Sequence, residues 1–191
     1  AGKEFFLSLK VIFKREGAWL YAVFLIGAIC MFILFGVLFY LSTMLEEQYQ
    51  IEGVKKGIIL AIPLAALCIA SLSAGKIIGQ EKWLMKRMTL TGVSLLTISM
   101  LALSFSDDIY FLLTALLSSG IGIGIALPSL DALVTEGIQM EQRGSVTSLY
   151  SSMRFVGVAA GPPVFAILMN TTHSLLFLIQ AGVGAAAIII A

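Results

Sequence analysis

Two charged side chains lie where an apolar chain should carry none. Arg154 falls near the middle of residues 144–169 (GSVTSLYSSMRFVGVAAGPPVFAILM), a stretch long and apolar enough to cross a bilayer. Asp131 lies one turn short of the end of the preceding apolar run. A charge at bilayer depth costs about 2.5–3.5 kcal/mol even on the gentler insertion scale, so it should face protein or water rather than lipid. Helical side chains lean toward their own N-terminus, and Asp131 lies in the direction in which Arg154 leans. The expectation is that Arg154 lines a polar path and is balanced by Asp131. The alternatives are a purely structural pair, or an arginine held by carbonyls that Pro162 and Pro163 set free.

The other residues with chemical potential are few. Tyr150 precedes Arg154 by one turn on the same face, and Gly157 and Gly161 follow at i+3 and i+7, where small groups let a neighbouring helix come close. Phe32, Phe35, Gly36, Phe39 and Tyr40 recur on one side of the first apolar run. Such a stripe suits a pocket for flat, greasy or cationic compounds through stacking and cation–π contact, with Phe39 and Tyr40 nearest its outer end. It also suits plain packing or contact with lipid. His173 stands alone in a short loop, and Cys30 and Cys68 lie in apolar runs as buried thiols. Nothing has the spacing of a metal site, a disulfide or a nucleophile–base set, so no catalytic group and no enzyme are expected.

The elements that must hold these groups are read from hydropathy. The chain has 191 residues, 59% hydrophobic and only 12% charged, with mean hydropathy +1.02. A soluble domain carries roughly 25% charged residues, so this is an all-α polytopic membrane protein. Net charge is +1 and no basic patch is interleaved with aromatics, which excludes nucleic acid as the expected partner. Six apolar segments, at about 19–42, 54–74, 88–105, 109–134, 145–169 and 174–191, each approach the ~20 residues that span the hydrocarbon. Short polar stretches connect them: EEQYQIEG, GQEKWLMK, SDD, TEGIQMEQR and NTTH. Ahead of them, residues 1–18 read as a cytoplasmic linker, with Phe5, Leu9 and Ile12 at helical spacing beside Lys3, Lys10, Lys14 and Arg15, the pattern of a basic amphipathic helix on a membrane surface. Residues 19–191 form the transmembrane domain. The first residue is alanine and the last lies inside an apolar run, so the chain is expected to be a piece of a longer protein with its last helix truncated.

Lysine and arginine set the orientation. With the N-terminus in the cytoplasm, Lys3, Lys10, Lys14, Arg15, Lys76, Lys82, Lys86, Arg87 and Arg143 all fall inside, and only Lys55 and Lys56 fall outside. Both termini are then cytoplasmic, in a multi-pass protein of the plasma membrane. Breakers are uneven: Pro63 in the second span, Gly120, Gly122, Gly124 and Pro128 in the fourth, Gly157, Gly161, Pro162 and Pro163 in the fifth. Gly120/Gly124 and Gly157/Gly161 are small-xxx-small pairs, and the glycine cluster before Pro128 suggests a bendable fourth helix.

Here the residues resemble a family. Arg143-Gly144, a small-residue run, then Arg154-x-x-Gly157-x-x-x-Gly161-Pro162-Pro163 is similar to the antiporter motif of major facilitator superfamily transporters, with Ser148 in place of its first glycine and Phe165-Ala166 in place of its last pair. Gly75-Lys76-Ile77-Ile78-Gly79-Gln80, followed by Lys82, Lys86 and Arg87, resembles a second family motif in which Gly79 replaces the acid. The chain as a whole resembles helices seven to twelve, the C-terminal half, of such a transporter, closest to bacterial drug:proton antiporters.

That resemblance implies a six-helix bundle of two three-helix inverted repeats, docked on a missing N-terminal six-helix half. It implies transport of a small molecule by alternating access, most simply multidrug efflux of drugs or other amphiphiles. It implies a proton gradient as the driving force and no cofactor. Transport-path residues are then Arg154, Asp131, Tyr40, Phe39 and Tyr150. Packing and gating fall to Gly120, Gly124, Pro128, Gly157, Gly161 and Pro162. The competing readings are an importer of a metabolite such as a sugar or organic acid, a non-transporting membrane module, and a membrane enzyme.

Overall fold

The computed structural model describes residues 11–191, so the amphipathic positions Lys3, Phe5, Leu9 and Lys10 lie outside the described residues. Six long helices run through them. We number these α1 (Ala18–Glu47), α2 (Gly53–Ile77), α3 (Lys82–Leu103), α4 (Ile109–Gly137), α5 (Met140–Leu168) and α6 (His173–Ile190). Helices pair most of their backbone groups within one segment, so this is a spanning structure that lipid permits. Five helices are long and apolar enough to cross a membrane. α3 is the sixth: it carries Lys82, Lys86 and Arg87 within residues 82–87, and the uncharged remainder runs for about 24 Å.

Observed helices outrun the apolar segments, chiefly at their charged ends. The first continues to Glu47 rather than residue 42, and the third begins at Lys82 rather than 88. Most of GQEKWLMK is therefore helical, and TEGIQMEQR shrinks to a break at Ile138 and Gln139. Hydropathy marks where hydrocarbon ends, whereas a helix goes on until its hydrogen bonds stop. Ahead of α1, residues 11–16 are helical and Gly17 turns the chain at φ 77°. Ile12 is buried there, Phe13 packs edge-on against Phe24, and Arg15 donates to Gln142 Oε1 at 3.0 Å, so this part of the linker folds back onto the bundle.

The long helix pairings cross between the first three helices and the last three: α1 lies along α5, α2 along α4, and α3 along both α4 and α6. Glycine decides how close these pairs come. A Cβ on Gly157 would lie 2.2 Å from the Ala28 carbonyl oxygen, and one on Gly161 would lie 2.6 Å from that of Phe32, so α1 and α5 touch backbone to backbone. On the other pair, Gly120 and Gly124 meet the carbonyl oxygens of Pro63 and Leu67, each at 2.5 Å from the missing Cβ. Gly122 points to a third helix, where it and Gly92 stand against each other's carbonyl oxygens. The three glycines of α4 are thus approach points for two neighbours. The helix runs through them and through Pro128 as one element, Ile109–Gly137.

Asp108 starts α4 by accepting from the backbone N–H groups of Tyr110 and Phe111, both at 3.1 Å. Removing an N-cap of this kind costs about 1 kcal/mol. Asp108→Ala in the full-length protein is expected to lower the thermal midpoint by about 2–4 °C, with no change in transport selectivity. An unchanged midpoint would show that the cap is redundant with the packing of α4.

Candidate transport path

The face of α5 that meets α1 is built from Val146, Tyr150, Gly157, Gly161 and Phe165, the buried residues of that helix. Arg154 stands one turn beyond Tyr150 and one before Gly157, about 21 Å along a helix of about 43 Å. Its side chain therefore leaves the seam near mid-helix. Nη1 of Arg154 donates to Oδ1 of Asp131 at 3.1 Å, and the two side chains are 25% and 50% exposed. A carboxylate from α4, rather than carbonyls freed by Pro162 and Pro163, balances the charge.

Tyr150 lies beneath this pair. It is buried, its ring sits 5.6 Å from the guanidinium carbon of Arg154 and 5.5 Å from Phe24, and it fills the space that Gly27 leaves open. Its hydroxyl has no hydrogen-bond partner among the described residues. Tyr150 is thus a buried floor under Arg154. Cys30 is buried nearby, as its sequence context implies, whereas Cys68 is exposed on α2, against expectation.

Arg154 opens onto a cleft of about 370 Å³ lined also by Met31, Phe35, Ser151, Phe155 and Val158. This is the groove between α1 and α5: apolar and aromatic walls with one cation, Arg154, among them. Further along it, Phe39 lines a second cleft of about 300 Å³ with Thr43, Glu47, Ala166, Met169 and Asn170. Phe32 packs on Phe165, ring centres 6.1 Å apart.

The aromatic stripe divides. Phe32, Phe35 and Phe39 follow the groove, but Gly36 is covered by the ring of Phe165, and Tyr40 points inward. Tyr40 is 8% exposed, hydrogen-bonded to His173 Nδ1 at 2.6 Å, and edge-on to Phe177 at 5.1 Å. Tyr40 thus faces the bundle interior and not the groove that Phe39 lines: one residue on from Phe39 is a turn of about 100° around the helix. His173, read from sequence as an isolated loop residue, is instead the first residue of α6 and the hub of a polar cluster. Nothing local signalled this, since its partners lie 70 and 133 positions away.

The gating roles of Gly120, Gly124, Pro128, Gly157, Gly161 and Pro162 are expectations from resemblance, and what the geometry displays is close packing at the glycines. In the second motif stretch, α2 ends at Ile77 and α3 begins at Lys82, and Arg87 stacks over the exposed ring of Trp83 at 3.8 Å.

Long apolar helices thus pair between the first three and the last three, with the Arg154–Asp131 pair beside a cleft of α1 and α5. The chain belongs to the Major Facilitator Superfamily, whose family model matches residues 1–162 and 85–191. It is 55% identical over 181 residues to the Bacillibactin exporter of Bacillus subtilis (strain 168), covering 95% of this chain and 45% of that protein. The chain thus spans about half the length of the curated relative it matches. Among solved structures, a POT family transporter in complex with 5-aminolevulinic acid superposes with TM-score 0.75 at 16% identity, covering 90% of this chain and 37% of that one. A variant of the peptide transporter POT superposes with TM-score 0.74 at 17% identity, covering 90% and 36%. Likeness at that identity shows the fold alone.

Proposed function

We propose that this chain is the C-terminal half of an exporter that moves a small amphiphile across the plasma membrane by alternating access. The observation that carries this reading is Arg154, at the middle of α5, paired with Asp131 and set beside an aromatic-lined cleft between α1 and α5. An ionisable pair at membrane depth, partly open to a cleft, is a place where a polar or charged group of a substrate could bind. The α1–α5 groove lies against the missing N-terminal half, so that the path runs between halves and rocking exposes it to either side. Both termini lie in the cytoplasm, on the basic side of the bundle. Outward proton-coupled efflux is the direction and coupling we assign, supported by the relative named as an exporter and by the likeness of residues 157–162 to the antiporter motif.

The test is flux in inside-out vesicles containing the full-length protein, with an imposed proton gradient. Bacillibactin and a panel of drug-like amphiphiles are the compounds to offer, the first because of the relative's name. Gradient-driven accumulation of at least one is the expected result. Accumulation that ignores the gradient would remove proton coupling. No flux of any amphiphile, together with uptake of a sugar or organic acid into right-side-out vesicles, would overturn export.

A further inference from the structure

The groove between α1 and α5 does not end at the Arg154 cleft. Thr43, in the cleft that Phe39 lines, lies about 12 Å further along α1 than Phe35. The chemistry of this outer cleft is different. Three oxygen-bearing side chains, Thr43, Glu47 and Asn170, stand beside Phe39, Ala166 and Met169, and no lysine, arginine or histidine lines it. Among the described residues the Glu47 carboxylate has no ion pair and accepts no hydrogen bond; Gln50 Nε2 donates to its backbone carbonyl instead, at 3.3 Å. Its neighbour Glu46 is already paired with Lys56. Thr43 donates its hydroxyl proton to the Phe39 carbonyl at 3.1 Å, which leaves the oxygen as an acceptor.

The backbone adds to the same sign of charge. α1 and α5 run parallel, since Gly157 and Gly161 meet Ala28 and Phe32 in the same chain order. Both helices therefore end at this cleft, α1 at Glu47 and α5 at Leu168. A helix C-terminus carries about half a negative charge, which a cation normally answers. Neither helix has a basic residue in its last turn. Two helix ends and an unpaired carboxylate thus favour a cation here and oppose an anion. A hard metal ion asks for about six oxygen ligands, whereas half of this wall is carbon. The lining suits a cation that carries a carbon skeleton.

We propose that the outer cleft is a binding site for organic ammonium groups. Glu47 is the counter-ion, Thr43 and Asn170 accept N–H hydrogen bonds, and the ring of Phe39 takes the carbon skeleton and the face of the cation. The groove then carries opposite charges at two depths, Arg154 at the middle of α5 and Glu47 at the outer end of α1. That the cleft lies on a transport path rests on the function proposed above; the ammonium site itself does not.

The experiment is ligand-observed fluorine NMR of fluorobenzylammonium with the purified full-length protein, and of fluorobenzyl alcohol as the neutral counterpart. The ammonium should bind more tightly than the alcohol. Glu47→Gln should weaken the ammonium about tenfold and leave the alcohol unchanged. Phe39→Leu should weaken it about two- to fivefold. Glu46→Gln removes the same charge one residue away and should have little effect. Equal binding of ammonium and alcohol, or an equal loss in Glu46→Gln, would overturn the site. Absence of binding, together with a lowered thermal midpoint in Glu47→Gln, would overturn it too, by giving Glu47 to a cation elsewhere in the full-length protein. If Glu47→Gln does not fold, Phe39→Leu carries the comparison, and wild-type affinity there overturns the site. Ammonium binding without flux of any compound would fail the proposed function and leave the site standing; flux without ammonium binding would do the reverse.

Discussion

Exchange of Gly157 for valine is expected to part α1 from α5 and to leave little or no folded protein. The Cβ would lie 2.2 Å from the Ala28 carbonyl oxygen, with the carbon of the same carbonyl at 3.0 Å and the Ala28 Cα at 3.2 Å. All three are backbone atoms, so no side chain can swing aside and the helices themselves must move. Overpacking a tight contact costs about 1–3 kcal/mol even where side chains can yield, and this contact has none to yield. The damage would spread along the seam, because Gly161 against Phe32 and Gly36 under Phe165 depend on the same separation. The Arg154 cleft lies in that seam and would change shape with it. Gly182→Val is the control: a Cβ there meets nothing within 4 Å, and its midpoint should match wild type. Recovery of monodisperse full-length protein and its thermal midpoint are the measurements. A Gly157→Val protein with wild-type midpoint would show that the α1–α5 contact is looser than the glycine geometry demands.

The second large effect is on transport. Arg154→Ala is expected to reduce flux at least tenfold at matched expression, and Asp131→Asn to reduce it in the same direction. The pair joins α4 to α5, helices with little other contact to each other. Losing either partner leaves the other as an unbalanced charge beside an apolar cleft, which is costlier than losing both. Singles and double should therefore combine non-additively, with a coupling of about 0.5–3 kcal/mol in a double-mutant cycle read by thermal unfolding. Arg154→Lys keeps the charge but not the planar fork, and should recover flux only in part. Loss of yield with full flux in the surviving Arg154→Ala protein would reduce the pair to a structural bridge, and additive effects of the two single changes would show that the two side chains do not act as a pair.

The fold was legible because hydropathy and positive-charge bias are sums over neighbours in sequence. All six apolar runs became helices, and the low charge content left no other architecture. Charged ends of helices were misread as loops, since Lys82 and Glu47 stop the hydrophobic signal without stopping the helix. Of the candidate site, the approach of Arg154 to Asp131 was legible from the lean of a helical side chain along its axis. Rotation about the axis was not. Phe39 and Tyr40 are neighbours in sequence, yet one lines a cleft and the other is locked to His173.

Composition and periodicity alone determined that this chain crosses the membrane as helices, carries a charge at depth in the fifth of them, and has small residues where helices could meet. Tertiary structure decided which helices meet at those residues, which way each aromatic turns, and that His173 joins three elements. The reason is that burial in lipid depends only on each segment's own surface. Helix rotation and partner choice are set by backbone contacts such as Gly157 on Ala28 and Gly92 on Gly122, between residues far apart in the chain.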